Sequence, residues 1–149
     1  MSTRSIIGFK EYDGSITSIY CHFDGYIDHV GKILHDHYNT IEKLDELLDL
    51  GNLSVLGKEI GVKHPFSAAG SDMSYEAYNG LYGDMCVSYS RDRGEADSVA
   101  QTYANEHDLI KGNQYVDYIY IFDGHEWCVF NKASGWSNLE YALNAFSDD

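Results

Sequence analysis

The chain is short of positive charge. Against 24 Asp and Glu it carries only 10 Lys and Arg, a formal net charge of −14 over 149 residues. That balance excludes ordinary binding to a nucleic-acid duplex or an anionic membrane, whose own negative surface would repel it. Proline is nearly absent, with Pro65 alone, so a proline-rich linker is excluded as well. The three cysteines, Cys21, Cys86 and Cys128, form no C-x-x-C pair, and their odd number leaves at least one thiol unpaired, a usage that points to a reducing cytoplasm. No apolar run reaches the length of a signal peptide or a membrane span. The expectation is a protein of the cytoplasm. Also missing are G-x-S-x-G, a phosphate-cradling loop, H-E-x-x-H and G-x-G-x-x-G. The sequence assigns no catalytic residue, no metal ligand and no cofactor, and the reading is that of a non-enzyme.

What is present is enough for a core. Hydrophobic residues make up 44% and aromatic residues 14%, which excludes disorder as a description of the whole chain, and the length suits a single domain over residues 1–149. The β-rich runs Ile6–Glu11 and Ser15–Phe23 flank Asp13-Gly14 and predict a hairpin. Ile27, Val30, Ile33, Leu34 and Tyr38 recur at helical spacing with Asp24 as the expected N-cap, and a second helix starts from Asn39 with Ile41, Leu44, Leu47 and Leu48 as its apolar stripe. A half-buried strand is expected over Met85–Ser90. A third helix, capped by Asp92, carries Ala96, Val99, Ala100, Tyr103 and Ala104. Gln114–Phe122 and Glu126–Phe130 around Asp123-Gly124 predict a second hairpin, and Ser137 opens a last helix with Leu139, Ala142, Leu143 and Phe146. The order is ββααβαββα. It implies an α+β, two-layer sandwich: an antiparallel sheet of about five strands in two hairpins, with about four helices packed on one face.

Between Gly61 and Gly83 periodicity is lost, and residues 61–84 read as a long surface loop. Phe66, Tyr75, Tyr78 and Tyr82 there admit two readings, as interface aromatics or as anchors tucking the loop onto the core.

Two constellations carry candidate chemistry. In the second helix Glu42, Asp45, Glu46 and Asp49 fall at i, i+3, i+4 and i+7, four carboxylates on the face opposite the leucines, with Lys43 the only interruption. Like charges at ~5–6 Å oppose the helix rather than help it. The stripe is either a solvated face or a surface that competes with phosphate for a basic groove. The other constellation is Cys21, His22, Asp24, His29, His35 and His37. Cys21 and His22 are strand neighbours and point to opposite faces, which works against a shared metal or a Cys/His pair. His22, Asp24 and His37, with His37 tilted inward, remain as the centre of an alternative metal-binding or hydrolytic reading.

Met1-Ser2-Thr3-Arg4-Ser5-Ile6-Ile7-Gly8, Ile19-Tyr20-Cys21-His22-Phe23-Asp24-Gly25-Tyr26, Val30-Gly31-Lys32-Ile33-Leu34 and His37-Tyr38 resemble a group of small acidic proteins encoded by bacteriophages and prophages. The resemblance covers about the first 60 residues and departs from the pattern at Phe23, where the group has Trp. It implies an accessory protein that blocks a host defence system of the CRISPR or restriction type by binding. The expected partner is a host complex with a basic, nucleic-acid-handling groove, met through Glu42, Asp45, Glu46 and Asp49 with Asp24, Tyr26 and Asp28 beside them. No direct contact with nucleic acid or membrane is expected. A homodimeric accessory protein is the third class.

Overall fold

The computed structural model describes residues 3–147. The side chain of Phe146, expected in the apolar stripe of the last helix, lies outside the described residues, as do Asp148 and Asp149. The elements are β1 (Ser5–Lys10), β2 (Ile16–Cys21), α1 (Lys32–His37) entered through a single π-helical turn (Ile27–Gly31), α2 (Ile41–Asp49), β3 (Leu53–Val55), α3 (Tyr75–Tyr82), β4 (Val87–Ser88), α4 (Tyr89–Arg93), β5 (Gln101–Tyr103), α5 (Glu106–Gly112), β6 (Tyr118–Phe122), β7 (Trp127–Asn131), β8 (Gly135–Asn138) and α6 (Leu139–Ser147). The class is α+β, as expected. The counts and the order are not.

One eight-stranded sheet runs β4-β3-β2-β1-β6-β7-β8, and β5 pairs with β2 beyond the end of β3. Both hairpins form at their Asp-Gly turns. Asp13 Oδ1 accepts from the Ser15 amide and hydroxyl, and Asp123 Oδ1 accepts from the His125 and Glu126 amides, while Gly14 and Gly124 take positive φ. The sheet is mixed rather than antiparallel, because β1 pairs parallel with β6 from Ser5↔Tyr118 to Phe9↔Phe122, and Cys21 pairs parallel with Leu53. Pairing between the two hairpins is set by burial of both faces, which local periodicity does not report.

The register sorts side chains onto two faces. Ile7, Ile19, Tyr120 and Val129 share the larger core with Val30 and Leu34 before and in α1, with Leu44, Leu47 and Leu48 of α2 and with Leu139 of α6. Ile6, Ile16, Ile119 and Ile121 point the other way and pack with Leu109 and Val116. Helices therefore cover both faces, and the expected two-layer sandwich gains a partial third layer at α5.

The expected third helix does not form. Gly94 adopts φ 82° and ends α4 after Arg93. The Asp92 carboxylate, instead of capping a following helix, accepts from the Ser88 and His64 amides and from Arg91. Ser88 is the actual cap of α4. The strand expected over Met85–Ser90 is cut to Val87–Ser88 by the same helix, and Tyr103 lies in β5. The strand expected from Gln114 starts at Tyr118, and α5, capped by Asn105, precedes it.

The long loop is partly helical. Ser74 caps α3, Tyr78 is buried with its hydroxyl bonded to the Pro65 carbonyl, and Tyr82 stacks on His64 at 4.8 Å. Phe66 packs on Tyr89. These aromatics tuck the segment onto the body of the protein, and Tyr75 alone of the four is largely exposed.

Candidate functional site

α2 is built as its periodicity predicts, with the cap one residue later than expected: Thr40, not Asn39, accepts from the Lys43 amide at 3.3 Å. Its leucines are buried, and Glu42, Asp45, Glu46 and Asp49 are all exposed. Among the described residues none of the four makes a hydrogen bond or ion pair. Lys43, the one cation in the run, is drawn off the stripe: its ammonium donates to the Lys58 carbonyl at 2.9 Å and sits 4.5 Å from the centre of the Tyr38 ring. Four uncompensated charges thus stand along about 10 Å of helix, close to the spacing of about one phosphate per 3.4 Å along one DNA strand.

The three residues expected beside the stripe are exposed but dispersed. Asp24 holds φ 58°, and its side chain caps no helix; its carbonyl accepts from the Val30 amide, and its carboxylate lies 3.9 Å from His29 Nε2. Tyr26 lines a groove with Tyr115, Tyr118 and Lys132. Asp28 lines a different hollow, one that also holds Lys32 and Lys58.

His22, Asp24 and His37 do not converge. His22 Nδ1 lies 2.7 Å from the Tyr20 hydroxyl, and Tyr20 packs on the α5 face of the sheet. His37 ends α1 on the opposite face and points outward, exposed, rather than inward. Among the described residues no group of three or more His, Cys, Asp or Glu side chains is placed to hold a metal ion. The thiols are equally unsuited to nucleophilic work. Burial pushes the Cys21 thiol up to about 12 and raises Cys86 and Cys128, which keeps all three protonated at neutral pH.

Two groupings have no counterpart in the expectations. The first is structural: Arg91 holds Asp92 through Nε and Nη2 and also donates to the Ile60 and Cys86 carbonyls, tying the segment after β3 to α4. The run Arg91-Asp92-Arg93-Gly94 is its visible trace in the sequence. The second is a cleft that brings His125 and Glu126, from the β6–β7 turn, against His35 of α1 and Glu140 of α6. His125-Glu126 is recognisable as a polar pair after a turn. Its partners are 90 residues upstream and 14 downstream, counted from His35 to His125 and from Glu126 to Glu140.

Comparison with protein families, with curated proteins and with solved structures finds no match to this chain. No helix among the described residues is long and apolar enough to cross a membrane.

Proposed function

We propose that the protein is a phage-encoded inhibitor that works in the host cytoplasm by binding. Its target is a defence complex of the CRISPR or restriction type, and the exposed face of α2 occupies a basic groove that otherwise receives nucleic-acid phosphate. The observation that carries this reading is the state of the stripe: Glu42, Asp45, Glu46 and Asp49 face water without a cation, and the one lysine among them is bonded elsewhere. A helix gains nothing from such repulsion, whereas a basic partner would gain orientation and on-rate from it. The sequence resemblance to phage accessory proteins supports the biological setting.

The test replaces Glu42 and Glu46 by Gln and Asp45 and Asp49 by Asn together, and reads inhibition and co-purification of the defence complex. All four side chains are exposed, so the fold, followed by circular dichroism, stays intact while capture and inhibition are lost. Capture by the unaltered protein weakens with salt as the screening length falls from ~10 Å at 0.1 M to ~3 Å at 1 M. Full inhibition by the fourfold variant overturns the placement.

A further inference from the structure

Two hollows meet at Tyr115, which lines both and is 55% exposed. The first encloses about 180 Å³ and is lined by Tyr20, Tyr103 and Tyr115 with Asn52 and Gln101. The second, about 470 Å³, is lined by Tyr26, Tyr115 and Tyr118 with Asn131, and its size falls within the ~300–1,000 Å³ of preformed ligand sites. In a chain of net charge −14 the first hollow has no Asp, Glu, Lys, Arg or His in its lining, and the second has one charge of each sign, Asp117 and Lys132. Both of those are engaged: Asp117 Oδ2 accepts from the Arg4 amide, and the Lys132 ammonium donates to the Gln114 carbonyl. The groove therefore suits an uncharged occupant.

The asparagines of the groove are one-sided. Asn52 Oδ1 accepts from the Tyr20 amide at 2.9 Å, and Asn131 Oδ1 accepts from the Ser134 amide at 2.8 Å. A backbone N–H only donates, so these bonds settle both side-chain orientations and leave each Nδ2 a fixed donor with no acceptor among the described residues. Asn113 Oδ1 is taken as well, by the Tyr115 hydroxyl. The hydroxyls of Tyr26, Tyr103 and Tyr118 make no hydrogen bond among the described residues. The asparagine oxygens are spent and the donors are free. A sugar hydroxyl, which donates as well as accepts, would be only half answered here. A proline-rich segment in the polyproline II conformation is the better match, because its carbonyls are all solvated acceptors and its prolines carry no N–H. Aromatic-lined grooves are also where such segments dock.

We infer that this groove receives a proline-rich segment of a partner protein in the polyproline II conformation, its prolines seated in the two hollows that share Tyr115 and its carbonyls accepting from Nδ2 of Asn52 and Asn131. The segment is preformed and the donors are fixed, so little ordering opposes binding. The chain's own single proline, Pro65, is held elsewhere by the Tyr78 hydroxyl, so the occupant comes from another protein. The inference goes beyond the reading of α2 and does not depend on it. Tyr20 and Ile6 of the first hollow pack with the α5 face of the sheet, whereas the leucines of α2 pack on the other face.

The test titrates the full ¹⁵N-labelled chain with a blocked oligoproline of about ten residues, to about 5 mM, enough to reveal a Kd of ~1 mM. The side-chain amide signals of Asn52 and Asn131 and the backbone amide of Tyr115 shift saturably. A blocked Gly-Ser peptide of the same length, which is flexible, binds about tenfold or more weaker. Combining Asn52→Asp with Asn131→Asp keeps each acceptor oxygen and removes each donor, and weakens the oligoproline about tenfold or more, read at Tyr115. Tyr115→Ala removes the shared wall at an exposed position, weakens binding by a similar factor, and decides the matter if the double variant fails to fold. No saturable shift, equal binding of the Gly-Ser peptide, or unchanged affinity in the folded variants each overturn the inference. Saturable shifts with maltohexaose and none with oligoproline overturn it too, and make the groove a sugar site instead. The fourfold α2 variant binds the oligoproline as the parent does, which keeps this test separate from that of α2.

Discussion

Gly51 turns the chain from α2 into β3 with φ 76°, and a Cβ there would stand 2.0 Å from the Ser98 carbonyl oxygen. Two costs meet at this residue, since an L side chain strains the left-handed backbone and also forces apart two chain segments. Gly51→Ala is expected to lower stability by about 2 kcal/mol or more, read from urea unfolding; a variant as stable as the parent would contradict the close approach. The glycine's place at the end of an amphipathic helix was readable from the sequence, because a C-terminal cap is a local device. The approach of Ser98 was not, because it joins segments 47 residues apart (51 to 98). Lys43 shows the same division. Its position in the acidic run is plain in the sequence, but its bond to the Lys58 carbonyl, which leaves the stripe purely anionic, depends on the path of a distant segment.

At the scale of elements, the signals that held were those satisfied within a few residues: the two Asp-Gly turns, the leucine stripe of α2, and the presence of α6, although Asn138 and not the expected Ser137, which lies in β8, accepts from the first turn of that helix. The helix expected over residues 92–104 failed because its capping residue was engaged elsewhere. The Asp92 side chain is fully buried, paired with Arg91 and bonded to the amides of His64 and Ser88, so its role is to join α4 to the segment before α3. Asp92→Ala leaves the guanidinium of Arg91, whose side chain is 17% exposed, without its counter-charge. The expected loss is about 3 kcal/mol, with faster amide exchange at His64 and Ser88. Unchanged exchange at both amides would show that the carboxylate does not hold them. α5 and β8 were missed for a related reason. Each offers too short an apolar pattern to register alone, Leu109-Ile110 in one and Trp136 in the other, and each is fixed by the sheet surface it covers or extends.

For the whole molecule, protonation of the core sets an upper pH limit. Burial raises the Cys21 thiol to about 12 and lifts Cys86, Tyr38 and Tyr120 above their ordinary ranges. The unfolded chain releases thiol protons from about pH 8.5 and tyrosine protons from about pH 10, while the folded chain retains them. The folded state then binds more protons than the unfolded one, so stability is full below about pH 8.5 and falls as pH rises toward 12. Urea midpoints that stay level from pH 8 to pH 11 would refute this. The sequence by itself determined the class of fold, the hairpins, the acidic face of α2 and the absence of the common catalytic signatures, because each follows from composition or from residues close enough to share a turn or a helix face. Only the tertiary structure decided the parallel pairing of β1 with β6, the covering of both sheet faces, the separation of His22 from His37, and the assembly of the cleft from α1, the β6–β7 turn and α6. Those depend on which distant surfaces bury one another, a competition among long-range contacts that local periodicity does not encode.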